Sequence, residues 1–188
     1  TLLKGRFVVN LAQRTNKTTE LNELLDKAAI PPDERTRRIA ALFAGVDKRV
    51  FEEAARSVPL MPGAAEVVVA LRKRGYRVGI VSDSFRVATE IVRRRVFADF
   101  SIAHLMRFRR GVATGDVTLS PAMLHGQVCE KHPLCKLNVL VHLCTHLDIE
   151  PHQLLAVGDG EPDICMLKAA GVSVAVQPNL PWSSRPHA

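Results

Sequence analysis

The stretch Leu154-Leu155-Ala156-Val157-Gly158-Asp159-Gly160-Glu161-Pro162-Asp163 decides how this chain is read. Four consecutive apolar residues bounded by a glycine-flanked turn predict a short buried strand. Asp159 leaves the carboxyl end of that strand. Pro162 suits the first turn of a helix, and the periodicity carries this helix from 162 to 170, with Gly171 closing it and residues 172–176 forming the next strand. Strand, turn, helix, strand is the unit of a parallel sheet whose ligand groups gather at the carboxyl ends of the strands. Asp163 falls four residues after Asp159 on the first helical turn, so two acids face one place. Hard cations such as Mg²⁺ take carboxylate oxygens, and Gly158 and Gly160 would let backbone and phosphate approach closely. The same residues would serve equally as an Asp in a turn and an Asp stabilising a helix N-terminus.

Working outward, the pattern upstream is of the same kind. Residues 63–74 carry Val67, Val68 and Leu71 at helical spacing, and Gly75 stops that helix. Residues 77–82 read as a buried strand, Val78-Gly79-Ile80-Val81, and 85–96 as the next helix. Ser82 therefore ends a strand just before a helix whose free N–H groups suit a phosphate; Ser82, Asp83 or Ser84 would equally serve as that helix's N-cap. A hairpin is expected at 108–117 with Gly111 and Gly115 as turn residues, then a helix at 137–147 ended by Pro151. Lys136 opens that helix after Pro133-Leu134-Cys135.

The expected fold class is α/β, a three-layer Rossmann-like parallel sheet with a small helical cap inserted near the N-terminus. Residues 4–60 hold helical patterns at 21–28 and 35–43, broken by Pro31-Pro32, and no convincing strand; they are the expected cap. Residues 1–3 and 61–177 make the expected core, with its first strand missing, and 178–188 an irregular tail.

Composition narrows the partners. A chain of 188 residues with 47% hydrophobic and 24% charged residues is ordinary for a globular protein. No run reaches the roughly 18 apolar residues that span a bilayer, and no signal peptide opens the chain, so no membrane partner and a cytoplasmic location are expected. The net charge of +7 favours anionic ligands. The basic residues form short clusters without interleaved aromatics, which argues against nucleic acid as a partner. Cys129, His132 and Cys135, followed by His142, Cys144 and His146, concentrate possible zinc ligands, but their spacing matches no strong zinc signature. Buried thiols and surface imidazoles are the expectation there. Nothing in the pattern selects an oligomeric state.

In order along the chain, a strand ending in Ser82, then Lys136, then Gly158-Asp159-Gly160 with Asp163 resembles the second, third and fourth motifs of phosphatases of the haloacid dehalogenase superfamily. The run Gly75-Tyr76-Arg77-Val78-Gly79-Ile80-Val81-Ser82 and the stretch Asp163-Ile164-Cys165-Met166-Leu167-Lys168-Ala169-Ala170-Gly171 are most similar to the branch containing phosphoserine phosphatases. The resemblance implies a Mg²⁺-dependent hydrolase of a small phosphorylated metabolite acting through an aspartyl phosphate. By that resemblance Ser82 bonds the transferred phosphoryl group, Lys136 neutralises charge shared by phosphate and nucleophile, Asp159 ligates Mg²⁺ and Asp163 orients the metal shell.

The family's first motif, DxDxT, is not complete in the chain, yet Thr1-Leu2-Leu3 resembles its final Thr and the apolar residues that follow. Thr1 is thus expected to belong to the catalytic site, with both catalytic acids just upstream, and the 188 residues alone to lack activity. Pro162 stands where the branch has Asn, and Ser82-Asp83-Ser84 replaces its Ser-Gly-Gly, so Asp83 and Ser84 line the expected substrate site in a bulkier and more acidic turn. Aligning on Thr1 places Arg6 where phosphoserine phosphatases have a Glu that receives the substrate ammonium, while Arg38 falls near the arginine that holds the substrate carboxylate. A guanidinium cannot accept a hydrogen bond, so a more acidic phosphomonoester than phosphoserine is expected. A second reading is a non-catalytic binding or regulatory module of the same fold, in which Pro162 and the absent first motif reflect loss of activity.

Overall fold

The computed structural model describes residues 1–26, 30–124 and 128–176. The expected tail at 178–188 and the end of the helical pattern at 28 lie outside the described residues. The chain divides into two compact units, Leu2–Ser120 and Thr1 with Pro121–Ala188.

The first unit opens with four helices, α1 (Phe7–Arg14), α2 (Thr18–Asp26), α3 (Pro32–Leu42) and α4 (Lys48–Ser57). Two of them begin on recognisable signals. Pro32 sits in the first turn of α3 with Asp33 and Glu34, where Pro is preorganised and acids meet the positive end of the helix. The Asp47 side chain accepts the Arg49 backbone N–H at 2.7 Å and caps α4. Their apolar faces meet around Phe51, whose ring packs edge-on against Phe43 and Phe108 with centroids 6.0 and 5.2 Å apart.

The remainder of this unit is α5 (Ala64–Lys73), β1 (Gly79–Phe85), α6 (Arg86–Val96), β2 (Phe100–Arg109) and β3 (Val112–Thr118), in a sheet of order β1-β2-β3. The strand β1 is parallel to β2, whereas β2 and β3 form an antiparallel hairpin. Arg110 and Gly111, at φ 52 and 81, supply the two positive-φ positions that a tight hairpin turn needs. Gly115, expected in the turn, lies inside β3. A Cβ there would come 3.0 Å from Ala44 Cβ, so the glycine is needed for close approach to the end of α3. Hydrogen bonds of 2.9 Å from Gly45 N to Ala113 O and from Ala113 N to Val46 O fasten the hairpin to the α3–α4 connection. Arg95 of α6 donates to the carbonyls of Ala55 and Val58 at 3.1 and 2.8 Å, satisfying the end of α4.

The second unit contains α7 (Lys136–Leu147), β4 (Leu155–Gly158), α8 (Ile164–Ala169) and β5 (Val172–Ala175), with β4 and β5 parallel. Helix α7 ends at Leu147, as expected; Asp148 closes it in the left-handed region, φ 52, and Pro151 opens a 3-10 turn. The expected helix at 162–170 is instead a 3-10 turn, Glu161–Asp163, followed by the short α8. The strand β4 is not buried throughout: Ala156 and Gly158 are buried while Leu155 and Val157 are each 39% exposed. Helix α8 packs against both strands of this two-stranded sheet, and the alternating burial along β4 is that of a strand packed on one face.

Candidate active site

Asp163 is the hub of the second unit's polar cluster. The 3-10 turn places its carboxylate beneath the β4–α8 turn, where Oδ2 accepts the backbone N–H of Asp159 at 3.0 Å and of Gly160 at 3.2 Å. Its Oδ1 takes the Lys136 ammonium at 2.6 Å. The pair is enclosed, with the Lys136 side chain 13% and the Asp163 side chain 7% exposed. Such a pair holds its two elements in one geometry, since breaking a buried pair from one side leaves an uncompensated charge costing about 3–5 kcal/mol.

Gly158 explains how Asp163 fits. A Cβ at 158 would stand 2.5 Å from Asp163 Cβ and 2.8 Å from its Cγ and Oδ2. The glycine before Asp159 therefore makes room for the second carboxylate rather than only for a ligand. Gly160 is extended, at φ −140, and a Cβ there would meet only Pro162 Cδ at 3.4 Å.

Asp159 emerges from β4 with its carboxylate turned to Thr1. The Thr1 hydroxyl donates to Oδ1 at 2.7 Å. The all-oxygen donor chemistry of this carboxylate at a strand end fits a hard divalent cation at Asp159. Asp163 has both oxygens engaged in holding Lys136 and the turn, which suits orientation rather than direct ligation.

The structure thus brings Thr1, Lys136, Asp159 and Asp163 together in one unit. Ser82, Asp83, Ser84, Arg6 and Arg38 belong to the other. Regular pairing of β1 with β2 stops at Val81↔Ile102 and resumes at Phe85↔His104, so residues 82–84 form a bulge, a device common beside functional sites. None of them caps α6, whose N-cap is Phe85 without a side-chain cap bond; the expected N-cap role is excluded because the strand runs on to Phe85. Ser84 N donates to Ser82 Oγ at 3.2 Å, while the buried Ser84 Oγ has no hydrogen-bond partner among the described residues. Arg6 precedes α1 and is exposed. Arg38 is exposed on α3 and donates to Glu34 Oε1 at 2.7 Å.

Three further residues carry structure that sequence reasoning missed. Asn138, fully buried in the first turn of α7, accepts from Cys129 N at 2.9 Å and donates to Leu124 O at 2.8 Å. His104, fully buried in β2, accepts the Ser120 backbone N–H on Nδ1 at 3.0 Å, which assigns the proton to Nε2. Cys165 of α8 lies against His132, a neighbour more than thirty residues away in sequence.

A family model described as haloacid dehalogenase-like hydrolase matches residues 8–171. The chain belongs to that family. Among curated haloacid dehalogenase-like relatives, phosphoserine phosphatase SerB2 of Mycobacterium tuberculosis is 30% identical over 178 residues, covering 93% of this chain and 41% of its own length. A phosphoserine phosphatase of Albidiferax ferrireducens is 34% identical over 146 residues, covering 76% of this chain and 58% of its own. This chain thus spans about half the length of those relatives. A solved phosphoserine phosphatase, described as a phospho-aspartyl intermediate analogue, superposes with a TM-score of 0.76 at 25% identity, covering 93% of this chain and 81% of that one. A haloacid dehalogenase family hydrolase from Salmonella enterica serovar Typhi shares the fold, with a TM-score of 0.84 at 22% identity over 95% of this chain and 60% of that one. The α/β fold, the family and the similarity to its phosphoserine phosphatases agree with what the ordered motifs imply.

Proposed function

We propose that this chain carries the cation-binding and charge-neutralising residues of a Mg²⁺-dependent phosphomonoester hydrolase that acts on a small phosphorylated metabolite in the cytoplasm. The observation that carries the reading is the cluster at the end of β4, in which Asp163 holds Lys136 and the Asp159 turn in one geometry. Asp159 would ligate the cation, which when bound supplies a Lewis acid that draws charge from a phosphoryl oxygen. Lys136, fixed by Asp163, would neutralise charge on the phosphate and the attacking carboxylate. The Thr1 hydroxyl, which reaches Asp159 Oδ1, would orient that ligand.

In a protein carrying DxDx ahead of Thr1, the first Asp would attack the phosphomonoester and expel its alcohol, and water would then hydrolyse the aspartyl phosphate to release phosphate. The roles of Ser82, as donor to the phosphoryl group, and of Asp83 and Ser84, as substrate-side residues, rest on motif order and on the β1 bulge. Residues 4–60 would act as the cap over a core of 1–3 and 61–177, with Arg6 and Arg38 favouring substrates with an anionic far end. The test is hydrolysis of p-nitrophenyl phosphate by a protein carrying DxDx ahead of Thr1. Mg²⁺-dependent turnover that disappears in Asp159→Asn supports the proposal, and turnover that survives that substitution unchanged refutes it.

A further inference from the structure

Cys129, His132, Cys135 and Cys165 converge in the second unit with one ligand atom each, all within 4.8 Å of one another. Cys129 Sγ and Cys165 Sγ lie 3.3 and 3.6 Å from His132 Nδ1. Tetrahedral zinc, with Zn–S near 2.3 Å and Zn–N near 2.0 Å, separates its ligand atoms by about 3.5–3.8 Å. The four atoms need only a small adjustment to reach that spacing. All four cysteines of the chain are free thiols, and three of them with His132 form, among the described residues, a cluster of four side chains close enough to share one metal ion.

The loop carrying three of the four ligands is built rather than incidental. Asn138 receives the Cys129 N–H and donates to the carbonyls of Met123 and Leu124 at 3.3 and 2.8 Å, all from a fully buried amide. Cys135 N donates to Met123 O at 2.9 Å, and Leu124 bridges Leu134. These bonds fix both ends of the Cys129–Cys135 loop, the usual business of groups that surround a metal site and orient its ligands.

We infer that Cys129, His132, Cys135 and Cys165 form a structural Cys₃His zinc site. Three thiolates and one imidazole select zinc over the hard cation expected at Asp159, and a set of four leaves no position open for a reacting group. His142 and His146 stack on each other along α7 with centroids 4.2 Å apart and lie outside the cluster, as does the buried Cys144. Cys165, thirty residues beyond Cys135, completes the set in their place, where the sequence pattern predicts only buried thiols and surface imidazoles. Three neighbouring sulfurs cannot readily all ionise without a cation. Zinc would stabilise all three thiolates together.

The position gives the site a purpose. Cys135 directly precedes Lys136, and Cys165 follows Asp163 by two residues, so one ion would tie together the two segments joined by the Lys136–Asp163 pair. These four are positioning residues, and the inference does not depend on phosphatase activity.

The test is elemental analysis of this chain, purified under reducing conditions from zinc-supplemented cells, together with cobalt substitution. One zinc per chain is expected in the wild type and in Cys144→Ser, and loss of most of it in Cys165→Ser and in His132→Ala, whose replaced ring is exposed. Cobalt should give the thiolate charge-transfer and tetrahedral d–d bands in the wild type and lose them in both variants. Chelator should lower the thermal midpoint of the wild type and leave that of Cys165→Ser where it is. Absence of stoichiometric zinc from the wild type, or zinc unchanged in both ligand variants, overturns the inference.

Discussion

Gly158→Ala tests whether the cluster at the end of β4 is held by close packing. The added Cβ would stand 2.5 Å from Asp163 Cβ and 2.8 Å from its carboxylate, so Asp163 must move. Overpacking of this kind costs about 1–3 kcal/mol. Movement of Asp163 also loosens its bonds to Lys136 Nζ, Asp159 N and Gly160 N, and loss of one hydrogen bond to a charged group adds about 1.5–3 kcal/mol. The reduced freedom of the unfolded chain returns about 0.4–1 kcal/mol. The net expectation is about 1.5–5.5 kcal/mol of destabilisation. For a chain of this size that lowers Tm by roughly 3–22 °C at about 2–4 °C per kcal/mol. Gly160→Ala is the matched control, because its Cβ would meet only Pro162 Cδ at 3.4 Å and its backbone is extended; it should stay within about 0.5 kcal/mol. Urea and thermal unfolding followed by far-UV circular dichroism read both variants. Equal stabilities for the two alanine variants would refute the packing argument.

Lys136→Met keeps most of the side-chain volume but leaves Asp163 enclosed without its counter-charge, and should cost about 3–5 kcal/mol in urea unfolding, most of it recovered on adding Asp163→Asn. Burial holds the His104 imidazole below its usual value, with Asp83 opposing and Arg37 reinforcing the shift. The unfolded state then takes up the proton first, so stability is intact above the unfolded value of about 6.5 and falls as pH drops below it. The urea midpoint should fall from pH 7.5 to pH 5.5, less steeply in His104→Asn than in the wild type; parallel profiles would remove His104 as the cause. Arg6→Glu, in a protein carrying DxDx ahead of Thr1, should raise kcat/KM for phosphoserine relative to phosphorylated carboxylic acids lacking an amine, and an unchanged ratio would show that Arg6 does not face the substrate.

What could be read in the sequence depended on how local the cause was. The β4 turn, the start of α7 at Lys136 and the stop at Gly75 follow from contiguous residues, and the ordered motifs through Ser82, Lys136, Asp159 and Asp163 were enough to imply the family. Helices α1 and α4 gave no definite prediction, since their burial depends on partners such as Phe108 that come much later in the chain. The extension of β1 to Phe85 was hidden because Ser82-Asp83-Ser84 reads as a turn, whereas pairing with β2 absorbs it as a bulge. Gly115 looked like a turn residue, yet its reason is Ala44 on another element. The convergence of Cys129, His132 and Cys135 with Cys165 was hidden in the same way, because Cys165 comes from α8, thirty residues further along the chain.

Asp163 shows why the decisive stretch carries more information than its length suggests. As a lone acid on a helix's first turn it would favour a helix start and nothing more, worth about 0.3–1 kcal/mol through the dipole. In the structure its two oxygens bind two backbone N–H groups of the turn before it and an ammonium from a separate helix, so each of its acceptor sites serves a different element. That arrangement requires a residue without a side chain at 158, a long cation at 136 and a tight turn between 159 and 163. A solvated surface acid imposes none of these demands. The co-occurrence of Gly158, Lys136 and Asp163 is therefore a physical constraint on one buried carboxylate, and it separates a constructed site from an Asp that merely begins a helix.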